Sequence, residues 1–298
     1  MLVLLVSAAL AAAPPMAPAA APAMAGAPPA KTQADAAPAM FMVRDADTTI
    51  YLFGTFHALD GQSEWFDHAV KDAFDRSSEL VLETLPSKRP AVAGAPIRQP
   101  PPAFDNWPVA ASASFLETAR MAISAGQARG MQVDNGADMV LRRAAELAGK
   151  DVAGLETIDS QFRMMSRMPD TRPPARPHSG DPVDRGDTMA DLSDSMAELQ
   201  AAWKSGEQQL FTHMLDQLRQ TSPEIYRTMF AERNARWADW VRARLDRPGT
   251  VFVAVGAGHL AGCDSLLVRL AEMGTVSARV SPVSPDAPRD LAIERALD

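Results

Sequence analysis

The chain has a single cysteine, Cys263, in 298 residues. One thiol closes no internal disulfide, so the fold stands without oxidation. A metal-ligating or nucleophilic role is open to Cys263, four residues after His259. Its expected place is that of a small buried residue at the start of a helix. Basic residues are also few. Lys and Arg number 29 against 37 Asp and Glu, a formal charge of -8. That balance argues against a nucleic-acid footprint, which needs clustered Lys and Arg. No H-E-x-x-H, no Walker A loop and no G-x-S-x-G elbow occurs, so zincin, P-loop and nucleophile-elbow chemistries are set aside.

Long apolar runs are missing too. Leu2 to Ala13 is apolar but too short to span a bilayer, and it reads as a signal-peptide core. No basic segment precedes it, and Lys31 is the first charged residue. Residues 1–13 are expected to be a signal peptide, with its cleavage site among Ala9 to Ala13, and 14–39 an Ala/Pro-rich disordered linker. The expected location is periplasmic or secreted, with membrane contact only through the export signal.

The 47% hydrophobic content suits one large α/β domain or two small ones. Two segments share one grammar. Ile50 to Phe53 runs into Gly54-Thr55-Phe56-His57, and Val251 to Val255 runs into Gly256-Ala257-Gly258-His259. Each is an apolar, β-prone run ending in Gly-x-x-His. A second pair follows suit: Leu80-Val81-Leu82 ends in Glu83-Thr84, and Val152 to Leu155 ends in Glu156-Thr157. Groups just past the carboxyl ends of strands stand where open α/β sheets place ligands. His57, Glu83, Glu156 and His259 are therefore expected around one pocket at one sheet edge.

Further strands are expected at Phe41 to Arg44 and Val276 to Val280. Helices are expected at Glu64 to Arg76, Ser112 to Ser124, Asn135 to Ala148, Ile158 to Arg167, Met189 to Trp203, Gly206 to Arg219, Pro223 to Leu245 and Cys263 to Met273. Ser222-Pro223 reads as an N-cap followed by proline at the first helical position. Pro-rich stretches 86–108 and 169–186 read as surface loops, the second with a solvated His178. Met164, Met165 and Met168 read as core filler.

On the helix from Pro223, Tyr226, Met229, Phe230, Trp237, Trp240 and Val241 form an apolar stripe. Arg233 and Asn234 fall on that face. An arginine there must be paired or reach solvent along its stem. Two roles stay open: to point into the site and hold a carboxylate or substrate, or to tie the helix to a buried Asp or to loop carbonyls. Gly256-x-Gly258-x-x-x-Gly262 has the wrong spacing for a dinucleotide loop, and the next expected strand ends without an acid for a ribose.

Taken together, these motifs resemble the TraB/GumN family, which also contains the Tiki-type proteins. Leu52-Phe53-Gly54-Thr55-Phe56-His57 is similar to its opening GxxH motif, and Glu83 to its strand-end glutamate. Asp134 to Gln161, with Gly154-Leu155-Glu156-Thr157, resembles its middle signature. Trp203-Lys204-Ser205-Gly206-Glu207, Glu232-Arg233-Asn234-Ala235-Arg236-Trp237 and Val255 to Gly262 resemble its later elements. The resemblance implies an α/β fold related to erythromycin-esterase-like and ChaN-like proteins. It would be a mixed central sheet flanked by helices, with a large helical insertion at about 189–246, in one domain over 40–285 and a tail at 286–298. For Tiki-type members it implies a metal-dependent peptidase, with Mn or Co held by the two GxxH histidines and the glutamate.

The leading expectation is thus a metal-dependent hydrolase, most simply a peptidase. His57, Glu83 and His259 would hold Mn, Co or Zn, because neutral imidazoles and a carboxylate suit such a cation. Glu156 would be the general base, or Glu83 if it is not a ligand, with Arg233 and Asn234 lining the site. The alternative is a protein that binds a peptide or small molecule without turnover.

Overall fold

The computed structural model describes residues 37–61, 64–66, 68–85, 113–166 and 185–281. The expected signal segment, residues 14–36 of the linker, the loop at 86–108, residues 169–184 with His178, Met168 and the tail at 286–298 lie outside the described residues.

Six strands form one sheet: β1 (Met40–Arg44), β2 (Thr48–Thr55), β3 (Glu79–Leu85), β4 (Asp151–Thr157), β5 (Gly249–Gly256) and β6 (Ala278–Arg279). Their order is β4-β3-β5-β2-β1-β6. The neighbours β4, β3, β5 and β2 are parallel, whereas β1 and β6 are antiparallel additions at one side. The sheet is therefore mixed, as expected for this α/β class. The central strands are apolar at successive positions because both faces are covered. In β5, Val251, Val253 and Val255 enter one core and Phe252 and Ala254 the other.

The helices are α1 (His68–Arg76), α2 (Ala113–Ala128), α3 (Ala137–Leu147), α4 (Ile158–Met165), α5 (Arg185–Lys204), α6 (Gln209–Thr221), α7 (Pro223–Tyr226), α8 (Glu232–Leu245) and α9 (Leu266–Glu272). Helices α5 to α8 are the insertion between β4 and β5. On one face of the sheet, Trp237, Ala238 and Val241 of α8 and Leu266 and Leu270 of α9 meet Ile50, Leu52, Val81 and the β5 valines. On the other, Phe53 packs against Trp65, Trp203 and Phe252. The Trp203 indole N–H there donates to the Gly54 carbonyl at 2.7 Å. That bond fixes α5 to the glycine of the first Gly-x-x-His segment. Among the described residues, no helix is long and apolar enough to cross a membrane.

Several expected boundaries move for physical reasons. The helix expected from Glu64 begins at His68. Trp65 and Phe66 instead pack against each other at 5.3 Å and against Phe53 at 5.6 Å and Phe74 at 5.2 Å. The last strand shrinks to Ala278–Arg279, which pair only with Met42 and Phe41. Pro223 does take the first helical position, but the Ser222 side chain makes no cap. Its backbone N–H closes α6 on the Leu218 carbonyl at 2.8 Å. The helix expected unbroken from Pro223 to Leu245 contains a π-helical turn at Arg227–Ala231. Cys263 is exposed, not buried. It lies in the turn before α9, which starts only after Ser265, whose hydroxyl accepts the Val268 N–H.

Candidate functional site

Because β4, β3, β5 and β2 are parallel neighbours, their carboxyl ends form one edge. Each delivers one of the four expected groups. Glu156 is near the end of β4 and Glu83 near the end of β3. His259 sits in a 3-10 turn, Ala257–Leu260, directly after β5. His57 follows β2 by two residues. Gly256 is where they meet. A Cβ on Gly256 would stand 3.2 Å from His57 Nε2, 3.3 Å from Glu83 Oε2 and 3.7 Å from His259 Cδ2. A side chain at Gly256 would crowd His57 and Glu83, so glycine allows their close approach.

Arg233 ties the other three groups together. It lies four residues before Trp237 and eight before Val241 on α8, so the stripe that packs on the sheet carries it to the edge. Its side chain is fully buried. Nη2 donates to Glu83 Oε1 at 2.8 Å and to Glu156 Oε2 at 2.9 Å, and Nε donates to Glu156 Oε1 at 3.0 Å. Nη1 donates to the Met229 carbonyl and to His259 Nε2, each at 3.2 Å. A guanidinium has five N–H groups. All five have partners inside the chain, so Arg233 holds carboxylates and a ring in place and has no donor left for a substrate. Of the two roles left open by the sequence, the geometry matches the first in that Arg233 holds the carboxylates of Glu83 and Glu156 at the site edge, and among the described residues no Asp or loop carbonyl is its partner.

His259 is held on every side. Its Nδ1–H donates to Asn234 Oδ1 at 2.6 Å, and Asn234 Nδ2 donates to the Asp264 carbonyl at 2.7 Å. Phe230 and Trp237 flank the ring at 4.9 and 4.5 Å. Burial pushes its pKa down to about 3, against a smaller opposing pull from Glu83. The ring is therefore neutral and offers the Nε2 lone pair that Arg233 uses. Asn234 thus acts through His259, as a positioning residue.

Glu83 is ionised. Burial alone would raise its pKa, but the Arg233 guanidinium foremost holds it well below the ordinary range. Its Oε2 accepts the Gly256 N–H at 3.0 Å, and Oε1 also accepts from Gln161 at 3.2 Å. Glu156 is bound by Arg233 and, at 3.4 Å, by the exposed Arg236.

His57 differs from the rest. Its Nδ1 bonds Asp138 Oδ1 at 2.7 Å. Burial would raise the Asp138 pKa, but the facing imidazole outweighs it and keeps the carboxyl below its usual value. An ionised Asp138 draws the ring proton to Nδ1, so the neutral ring carries its lone pair on Nε2. That atom is buried and has no hydrogen-bond partner.

The expected metal ligands thus share one edge but are not equally available. His259 gives its lone pair to Arg233. Glu83 commits one oxygen to Arg233 and the other to Gly256. Only His57 has a free donor. Among the described residues, no group of three His, Cys, Asp or Glu side chains is set to hold a metal ion. As placed, with a guanidinium on two of the three, the residues do not fit a three-donor metal site.

Asp138 and Gln161 were not singled out from the sequence. Both fall inside the 134–161 signature, but Asp138 reads there as an ordinary first-turn acid of α3 and Gln161 as a helix-surface amide. The local signal for Asp138 is Gly136. A Cβ at Gly136 would collide with the His57 carbonyl, so glycine lets the start of α3 close on His57. Gly136→Ala is expected to lower stability by about 1–3 kcal/mol through overpacking. A urea midpoint unchanged from wild type would show that the approach is not tight.

The sequence model of the TraB/PrgY/gumN family matches residues 39–99 and 93–278. Among curated proteins and among solved structures, nothing matches the chain.

Proposed function

We propose, from the premise that the chain belongs to the TraB/PrgY/gumN family, that it is a hydrolase of carbonyl compounds, most simply a peptidase, with His57 as its general base. The observation that carries this is the buried His57 Nε2, unpartnered while Nδ1 is held by Asp138. A base needs a free lone pair and a fixed ring, and an unpartnered buried acceptor is costly unless something uses it. Asp138 positions the ring and stabilises the imidazolium that forms on proton uptake. The Glu83–Arg233–Glu156 triad and neutral His259 make a rigid floor beside Gly256. The uncharged apolar run near the N-terminus supports work outside the cytoplasm, which N-terminal sequencing of exported protein checks.

The test is turnover of a peptide and ester panel by the chelator-treated full chain, with and without added Mn²⁺, Co²⁺ or Zn²⁺. His57→Ala is expected to lose activity about 10²- to 10⁴-fold, the range of general-base catalysis. Asp138→Asn is expected to fall in between, because it leaves the ring but unfixes its tautomer. Activity of His57→Ala equal to wild type rules out the base. Activity that appears only with metal, and saturably, restores the ligand role for His57, Glu83 and His259. Tight peptide binding with no turnover under any condition leaves the non-catalytic binding protein.

A further inference from the structure

Thr55 ends β2 at the same edge and is 1% exposed. Its Oγ1 is buried and, like His57 Nε2, has no hydrogen-bond partner. A buried hydroxyl without a partner is destabilising, because it has lost its water and gained nothing in return. Valine has the same shape, favours strands more and carries no such cost. A threonine here is therefore out of place on stability grounds. Its surroundings suggest why it is present. Thr55 pairs in register with Gly256. A Cβ on Gly256 would stand 3.2 Å from His57 Nε2 and 3.3 Å from Glu83 Oε2, so both groups border this glycine. The two orphaned atoms belong to residues either side of Phe56, and both residues neighbour the same glycine.

We propose that Thr55 is a catalytic residue of this site, its hydroxyl and His57 Nε2 holding between them the water that attacks the substrate carbonyl. The idea rests on the hydrolase reading above. One water satisfies both atoms. It donates one hydrogen to Nε2 and makes its second bond with Oγ1, which can donate or accept. In the step itself, the water oxygen bonds to the carbonyl carbon, and the carbonyl π electrons move to its oxygen. Nε2 takes the water proton as the bond forms. On collapse of the adduct the carbonyl re-forms, the bond to the leaving amine or alkoxide breaks, and Nε2–H returns the proton to that group. Nδ1–H stays on Asp138 throughout. The Thr55 hydroxyl fixes the water oxygen on the line of attack and is unchanged at the end.

The experiment uses the full chain labelled with ¹⁵N-histidine, as wild type, Thr55→Val and Thr55→Ser, at one pH where His57 is neutral. The His57 signal is assigned by its absence in His57→Gln. Thr55→Val is expected to move the Nε2 resonance toward that of an unbonded pyridine-type nitrogen, and Thr55→Ser to keep it. On a substrate found with the panel above, Thr55→Val should lower kcat about tenfold at unchanged KM, the equivalent of one hydrogen bond, and Thr55→Ser should recover it. If Thr55→Val does not fold, Thr55→Ala carries the same comparison. An Nε2 resonance that stays in place in the variant overturns the proposal. So does a higher melting midpoint for Thr55→Val with no shift in that resonance, since that is what removing a bare buried hydroxyl would do. The NMR arm needs no turnover, so the water site and the hydrolase reading fail separately.

Discussion

Arg233→Met should destabilise the protein by about 3–5 kcal/mol, the cost of leaving buried charges without their partner. The methionine fills much the same volume. It leaves Glu83 without a cation, Glu156 with only the exposed Arg236 at 3.4 Å, and His259 Nε2 without a donor. Arg233→Lys should recover only part of the loss. An ammonium is a point charge with three donors, and it cannot reach two carboxylates, a carbonyl and a ring nitrogen in the plane that a guanidinium serves. The measurement is the urea midpoint of the three proteins at neutral pH. A methionine variant as stable as wild type would show that the ion cluster is not what holds α8 to the sheet edge.

The second large effect is acid lability that begins unusually high on the pH scale. His259 has a pKa of about 3 in the folded chain and an ordinary value of 6.5. Below 6.5 the unfolded chain takes up a proton that the folded chain refuses. The contribution of a neutral His259 is therefore complete above 6.5 and is lost as pH falls toward 3, at about 1.4 kcal/mol per pH unit. Glu83 and Asp138 act with the same sign. Their folded values are lowered, so their contributions are present above 4.5 and 3.8 and are lost as pH falls through the folded values. Of these three groups, only His259 acts between 6.5 and 4.5. His259→Gln should be less stable at neutral pH and should lack the slope in that window. Wild-type stability that stays flat from 6.5 to 4.5 would contradict a neutral, buried His259.

Much of this site could be read before any coordinates, because the strands that carry it repeat a pattern. An apolar run must be a buried strand, and a polar residue at its end must leave the core at the edge. That logic placed His57, Glu83, Glu156 and His259 together. Arg233 was legible because a charge interrupts an apolar stripe. The partners were not legible. Asp138 is one acid among many near a helix start, and nothing local says that α3 will bring it against a histidine 81 residues away. The occupancy of the donors was hidden too. Sequence supplies two histidines and a glutamate, but only geometry shows that Arg233 already holds two of the three. The π-helical turn at 227–231 leaves no mark in the residue types of that segment. The early start expected for α1 failed because Trp65 and Phe66 were counted as a helical face, whereas they pack as a contacting pair against Phe53 and Phe74.

The place of β5 in the sheet bears on how the protein is made. It lies between β2 and β3 and is parallel to both, yet it follows them in the chain by well over a hundred residues. A nascent chain that ends before Gly249 has two half-sheets and no bridge. The missing strand would leave β2 and β3 about 9–10 Å apart, twice the spacing at which backbones can bond. Each half then shows an open apolar edge of the kind that recruits other chains. The late arrival of a single strand both closes the sheet and brings His259 to the edge that carries His57, Glu83 and Glu156. Until residues 249–256 emerge from the ribosome, both half-sheets keep that edge open to other chains.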